Sequence, residues 1–134
     1  MIFVGGIYLA ESEEKIRLNS KCGIDNASNN LQLAILDGLD LYYPDMTIVS
    51  MTPIGTYPLR YKKLFHKGAI FSHKINATDY SLGFVNIPLI KHFCIYLNLN
   101  RTLNKLLYTA AEENAKEEVL IITYGVSSPK LKAI

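Results

Sequence analysis

Short apolar runs alternate with segments of helical periodicity along this chain. Residues 2–4 (Ile-Phe-Val), 46–51 (Met-Thr-Ile-Val-Ser-Met) and 119–124 (Val-Leu-Ile-Ile-Thr-Tyr) are continuous, apolar and rich in β-branched side chains. Such runs are typical of strands that are buried on both faces of a parallel sheet. We therefore predict three parallel, buried strands in one sheet.

A helical stripe follows the first strand. Small and apolar residues recur at spacings of three and four, at Ala27, Leu31, Ala34, Ile35 and Gly38. Asp25 or Asn26 precedes the stripe and is a suitable N-cap, so we predict a helix that begins there and ends near Gly38. The polar residues 6–23 are predicted to form a long loop.

The second half of the chain predicts a hairpin and further helix. Residues 69–73 and 80–85 flank a turn at 76–79, which favours two strands joined by that turn. After Pro88 an apolar stripe of helical spacing is interrupted by asparagines at 98 and 100, and this predicts one short and one longer helix. The order of elements indicates an α/β sandwich of three layers, with a mainly parallel central sheet and a β-hairpin insertion.

Length and charge narrow the class of protein. The 134 residues fit a single domain over 1–134, and 49% hydrophobic with 19% charged residues is a globular composition. Fourteen Lys and Arg against twelve Asp and Glu leave +2, which argues against nucleic-acid binding through a basic surface.

Two cysteines, Cys22 and Cys94, do not suggest a disulfide framework. The apolar start lacks a preceding Lys or Arg and is followed by acidic residues, so it does not resemble a secretory signal. Charged or polar residues interrupt every apolar run before it could span a bilayer. We predict a cytoplasmic protein, with the inner face of the membrane as an allowed location.

Glycines flank the predicted first loop. Gly5 and Gly6 follow the first strand and Gly23 precedes the first helix, where an α/β fold can bring backbone amides and a helix terminus to a phosphate. The spacing is not G-x-G-x-x-G, and no acidic residue follows the second strand. Spacing alone therefore leaves two interpretations, a phosphate-facing loop or simple turn residues.

Other site classes are disfavoured. The three histidines are too scattered for a zinc site, no metal is expected, and no convergent carboxylate pair or G-x-S-x-G elbow is present. For His66 and His92 a solvated or partly packed side chain is the simpler interpretation. Residues 60–67 combine four cations with Tyr61, Leu64 and Phe65, which suits either a solvated face or contact with anionic lipid or phosphate.

Several segments together resemble a known family. They are Gly-Gly-Ile-Tyr at 5–8, the run from Asn19 through Cys22-Gly23-Ile24-Asp25-Asn26 to Leu31, Ile-Gly-Thr-Tyr-Pro at 54–58, Phe-Ser-His at 71–73 and Gly-Phe-Val-Asn-Ile-Pro at 83–88. The chain resembles the N-terminal domain of bacterial GT-B glycosyltransferases related to family four over nearly all its length.

The resemblance implies a Rossmann-like domain that holds the sugar acceptor and faces a donor-binding domain across a cleft. It implies that Gly5, Gly6, Gly23 and Ile24 approach the diphosphate of a nucleotide-sugar co-substrate, with no other cofactor. Asn26 and Ser127 would lie on the acceptor side. The implied partners are the nucleotide-sugar, a glycan or lipid-linked acceptor and, peripherally, the membrane.

The sequence departs from the family pattern in two places. Cys22-Gly23 stands where relatives have Gly-Gly, and Ser127 stands at the position of a histidine that titrates near neutral pH. The donor domain has no counterpart in these residues, so we expect a fragment that does not transfer sugar alone and whose exposed edge or cleft favours self-association. The alternative is a non-enzymatic α/β binding or assembly module.

Overall fold

The computed structural model of the chain describes residues 1–113 and 118–125. The elements within these residues are β1 (Ile2–Gly5), α1 (Ala10–Asn19), α2 (Asn26–Asp40), β2 (Thr47–Ser50), β3 (Phe65–His66), β4 (Ala69–Phe71), β5 (Asp79–Ser81), β6 (Phe84–Val85), α3 (Ile90–Glu113) and β7 (Ile121–Thr123). The predicted α/β class is confirmed.

Five strands form one sheet in the order β4-β5-β2-β1-β7. β1 pairs in parallel with β2 and β7, with Ile2 opposite both Thr47 and Ile121, and β2 pairs in parallel with β5. The three predicted strands therefore lie in one sheet with the predicted direction. β7 is only half-buried, however, because among the described strands it lies at the edge of the sheet. The prediction that it is fully buried was wrong.

Helices cover both faces of this sheet. Ile2 and Val4 of β1 pack in one cluster with Ile16 of α1 and Leu99 of α3. Phe3, which points to the opposite face, packs in a second cluster with Leu36 of α2 and with Ile48. The alternation of side chains along β1 thus places α1 and α3 on one face and α2 on the other.

The helix predicted after Asp25 is confirmed as α2. The Asp25 carboxylate accepts a hydrogen bond from the Ser28 amide at 3.0 Å, as expected of an N-cap. The inward face carries Leu36 together with two buried amides, Asn29 and Gln32. Those two polar side chains reach the turn after β1 and are described with the site.

The loop predicted over residues 6–23 contains helix α1 instead. Ile16 is its one buried residue, so the segment lacks the apolar stripe from which a helix is recognised. Its charges still suit a helix, with Glu11 and Glu13 in the first turn and Arg17 in the last, as the helix dipole favours.

The break predicted at Asn98 and Asn100 is absent, because α3 runs continuously through both. Asn98 Nδ2 donates to the Gly83 carbonyl at 2.7 Å, and Asn100 Oδ1 accepts from Asn104 Nδ2 at 2.8 Å. Both side chains bond away from the helix backbone. They therefore do not compete with it, which was the basis of the predicted break.

The predicted hairpin is confirmed as β4 and β5, which pair antiparallel. It is part of the main sheet rather than a separate insertion, since β5 also pairs with β2. A second two-stranded sheet joins β3 to β6, where Gly68 and Gly83 cross closely. A Cβ on Gly83 would lie 2.7 Å from the Gly68 nitrogen, so this crossing requires glycine.

Among the described residues, no helix has both the length and the apolar character needed to cross a membrane.

Candidate functional site

A cavity of about 410 Å³ opens at the edge of the sheet where the parallel strands end. Ile7 and Tyr8 follow β1, Ser50 ends β2 and Thr52 follows it, and Ser81 ends β5; all five line the cavity. Helix α1 and residues 63–71 supply the other walls. Ligands of α/β proteins bind outside the carboxyl ends of the strands, so this cavity is the candidate site.

Hydroxyl groups form part of the cavity wall. The Ser50 hydroxyl donates to the Ile7 carbonyl at 2.6 Å and accepts from the Ile7 amide at 3.2 Å, so it holds the turn after β1. The Thr52 and Ser81 hydroxyls lie 3.3 Å apart and bond to each other. A hydroxyl has one donor and two acceptor positions, and this pair therefore retains capacity to bind a ligand.

Cations predominate among the charged residues that line the cavity. Lys15 comes from α1, and Lys63 and Lys67 come from the segment that contains β3; Glu11 is the one acidic residue of the lining. Cations gathered around a concave site concentrate the field on an anion. The lining therefore favours a ligand that carries phosphate or another anionic group.

His66 also lines the cavity, in an unusual state. Its ring stacks on Phe84 with centroids 5.0 Å apart, and its Nε2 is shielded from solvent without a hydrogen-bond partner among the described residues. Burial, and then the charges of Lys91 and Lys15, hold the pKa of His66 below its ordinary value. The imidazole is therefore neutral near pH 7, able both to donate and to accept a hydrogen bond.

The turn after β1 does not present bare amides. The Gly6 amide donates to Gln32 Oε1 at 2.9 Å, and Gln32 Nε2 donates back to the Gly6 carbonyl at 3.1 Å. Tyr8 and Asn29 form the same reciprocal pair, at 2.9 and 3.1 Å. Side chains of α2 thus occupy the backbone groups that the glycine spacing suggested for a phosphate.

The predicted glycines differ in their surroundings. A Cβ on Gly5 would lie 2.5 Å from the Phe3 ring and 2.7 Å from Gln32 Oε1, so close packing requires this glycine. A Cβ on Gly6 would lie 3.3 Å from the Met51 carbonyl. Nothing lies within 4 Å of the corresponding point on Gly23, which is exposed.

The other predicted site residues surround the start of α2. Ile24 packs against the core, and Asn26 Oδ1 accepts a hydrogen bond from the Tyr8 hydroxyl at 2.7 Å, which connects α2 to the cavity wall. None of the predicted residues Gly5, Gly6, Gly23, Ile24 and Asn26 lines the cavity itself. Ser127 lies outside the described residues, and the roles assigned to all six stay predictions.

Most residues of the cavity lining were not predicted from the sequence. Lys63, Phe65, His66 and Lys67 belong to the segment noted for its cations, which contains strand β3 and irregular backbone. Ser50 and Thr52 had a recognisable signal, since they stand where the strand predicted over 46–51 ends, whereas Ser81 lies near the start of the strand predicted over 80–85. Lys15 had none, because α1 was not predicted.

A second polar cluster lies at the opposite edge of the sheet, where β5 begins. His73 Nδ1 lies 2.6 Å from the Asp79 carboxylate, and His73 Nε2 lies 3.2 Å from Asp40, which also pairs with Lys74 at 2.5 Å. Asp79 is fully buried and accepts from the amides of Ile48 and His73, each at 2.8 Å. These contacts join β5, α2 and β2, as a structural cluster does.

Burial alone would raise the pKa of Asp40, but the hydrogen bonds and charges of Lys74 and His73 outweigh it and hold this pKa below its ordinary value. Asp40 is therefore ionised at neutral pH and bound to its partners. Within residues 1–113 and 118–125, no group of three or more His, Cys, Asp or Glu side chains is arranged to hold a metal ion.

Comparisons of the chain with protein-family models, with curated proteins and with solved structures found no match. The candidate site is therefore defined by its geometry alone.

Proposed function

We propose that this chain is the acceptor-side domain of a GT-B-type glycosyltransferase, and that the cavity binds the phosphate-bearing part of a substrate. One observation carries the proposal: the cavity at the carboxyl edge of the sheet gathers Lys15, Lys63 and Lys67 beside the free capacity of the Thr52 and Ser81 hydroxyls. We also propose that the chain has a Rossmann-like fold of three layers.

The order of the strands supports this fold. The chain proceeds from β1 outward through β2 to β5 and then returns to β7 on the other side of β1. α2 connects β1 to β2 over one face, and α3 leads back to β7 over the other. The reversal of strand order beside β1 is the point at which doubly wound α/β folds bind ligands.

The cavity suits the chemistry of sugar transfer from a nucleotide donor. Negative charge develops on the leaving diphosphate, and lysines and hydroxyls gathered in a concave site stabilise such charge. An acceptor held in the same site reacts faster because the site orients it for the transfer. The donor-binding wall belongs to a second domain in the family that the sequence resembles, so we expect no transfer by this chain alone.

Calorimetric titration of the full chain tests the binding step. Farnesyl phosphate serves as the probe for a lipid-linked acceptor, and a uridine diphosphate sugar serves as the probe for the donor. We expect the lipid phosphate to bind more tightly, and we expect Lys15→Gln combined with Lys67→Gln to weaken it by about tenfold, as the loss of charged hydrogen bonds predicts. The matched control is Lys105→Gln, an exposed lysine on α3 outside the cavity lining.

Failure of both probes to bind, or equal binding by the double variant, would contradict the proposal.

The alternative, a non-enzymatic binding or assembly module, is favoured by the fully occupied amides of Gly6 and Tyr8. It predicts that no sugar is transferred even when a donor domain is present. The glycosyltransferase proposal predicts transfer in that combined protein, with a reduced rate in the Lys15→Gln, Lys67→Gln variant.

A further inference from the structure

Charge is unevenly divided along the chain. Residues 46–111 contain eight Lys and Arg and one acidic residue, Asp79, which is fully buried. The remaining residues contain six Lys and Arg and eleven Asp and Glu. The near-neutral total therefore conceals a central segment that is strongly cationic.

The same segment exposes a group of large apolar side chains. Leu59 is 79% exposed, Leu89 84%, Ile90 46% and Phe93 61%. The last three lie within one turn at the start of α3, where the Phe93 amide donates to the Leu89 carbonyl. A single exposed leucine is ordinary, but a group of this kind marks a surface that contacts something apolar.

Hydrogen bonds bring Leu59 to the start of α3. The Tyr57 amide donates to the Asn86 carbonyl at 2.9 Å, and Lys91 Nζ donates to the Ile54 carbonyl at 2.5 Å. Residues 54–64 are thereby fixed against residues 86–93. Arg60 follows Leu59 directly and Lys63 lies four residues after it; both are exposed and belong to the segment held against the start of α3, so they border the apolar group.

The backbone at Leu89 is strained. Its φ of 69° lies in the left-handed region, which is unfavourable for a leucine. No burial offsets this cost, because the side chain is almost entirely in solvent. Strained backbone of this kind tends to occur at functional positions.

We propose that Leu59, Leu89, Ile90 and Phe93, bordered by Arg60 and Lys63, dock this edge of the protein on an anionic lipid bilayer. Apolar side chains enter the boundary between headgroups and acyl chains, and the cations pair with anionic headgroups. The surface lies at the carboxyl edge of the sheet, as the cavity does, so docking would bring the cavity close to the bilayer. This proposal depends on the proposed function in one respect: the bilayer would present a lipid-linked acceptor to the cavity.

A lipid surface explains the observations better than nucleic acid does. A polyanion alone would bind the cations but would make no favourable contact with four exposed apolar side chains. A bilayer contacts the cations and the apolar side chains together. The apolar residues project from a loop and a helix start rather than from a flat face.

Sedimentation of the full chain with vesicles tests the proposal. One set of vesicles is pure phosphatidylcholine, and the other contains equimolar phosphatidylcholine and phosphatidylglycerol. We expect binding to the second set, with at least a tenfold weaker partition for Leu89→Asn combined with Phe93→Ser, since two apolar side chains are lost. Arg60→Gln combined with Lys63→Gln should weaken the partition by about 25-fold, at about 1 kcal/mol for each charge.

Two controls are matched to these variants. Leu41→Ser with Tyr42→Ser removes equally exposed apolar residues after α2, and Arg101→Gln with Lys105→Gln removes two exposed cations of α3; both should bind as the unchanged chain does. Leu89→Asn should also leave the melting temperature unchanged or raise it, because asparagine tolerates the left-handed region.

No binding to the anionic vesicles, equal binding to the neutral ones, or unchanged binding by the Leu89→Asn, Phe93→Ser variant would overturn the proposal. The last result would show that charge alone drives binding. Vesicle binding lost by the Leu89→Asn, Phe93→Ser variant while farnesyl phosphate still binds would separate docking from the cavity, because neither residue lines the cavity.

Discussion

The central sheet has one edge at which its parallel strands begin and one at which they end. Each of these two edges holds a histidine among charged residues, and the two differ in how these polar groups are hydrogen-bonded. At the edge where β5 begins, His73 lies between Asp79 and Asp40, and the carboxylates bond to further donors. At the edge where the parallel strands end, His66 keeps a shielded nitrogen without a partner beside a cavity lined by three lysines.

Buried polar groups are normally hydrogen-bonded within the protein. The His73 cluster obeys this rule and joins three elements of the fold. The cavity departs from it at His66 Nε2, and the proposed function accounts for this departure by a ligand that completes the bonding. The comparison therefore predicts that changes at the first edge reduce stability, whereas changes at the second reduce binding.

The largest effect is expected at Asp79. Asp79→Ala removes the acceptor for the amides of Ile48 and His73 and for the His73 ring, and it leaves these donors buried. We expect a loss of about 3–5 kcal/mol in the free energy of unfolding, as for other broken buried pairs. Urea denaturation followed by circular dichroism measures it, and a loss below about 1 kcal/mol, the size of an ordinary surface effect, would contradict a structural role.

A smaller, pH-dependent effect is expected at Asp40. Its pKa is lower in the folded protein than the ordinary 3.8, so the carboxylate contributes stability above that value and loses it as the pH falls through the folded pKa. Asp40→Asn should therefore be less stable than the unchanged chain at pH 7 and approach it in strongly acidic solution. Thermal melts of both proteins between pH 7 and strongly acidic solution measure this difference in stability. A difference that does not change with pH would show that Asp40 acts through packing.

The sequence predicted the elements whose side chains have a simple periodic pattern. β1 and β2 are short apolar runs, and α2 has both a stripe and the Asp25 cap, so each was found close to its observed bounds. α1 was missed because one buried residue, Ile16, gives no stripe. The pairing of β5 with β2 depends on a contact between distant segments, which no local pattern shows.

The candidate site was harder to predict for a related reason. Its lining comes from the ends of three strands, one helix and the segment around β3, and only the fold brings these together. The glycines after β1 lie at the same edge of the sheet as the candidate cavity, but they did not indicate the groups that face it. Gln32 and Asn29 occupy the neighbouring amides, and in the sequence both read as ordinary polar positions of a helix.

The same substitution at the two histidines separates a structural role from a binding role. His66→Phe removes an unpartnered polar atom but keeps a ring that can stack on Phe84, so stability should stay within about 1 kcal/mol or rise, while binding of farnesyl phosphate weakens. His73→Phe leaves Asp79 and Asp40 without the imidazole and should cost about 2 kcal/mol or more, with binding by the folded fraction retained.

Urea denaturation and calorimetric titration of both variants supply the comparison. We expect stability to fall at His73 alone and binding to fall at His66 alone. Equal losses of stability at both histidines, with unchanged binding at His66, would show that the two histidines do not differ in role.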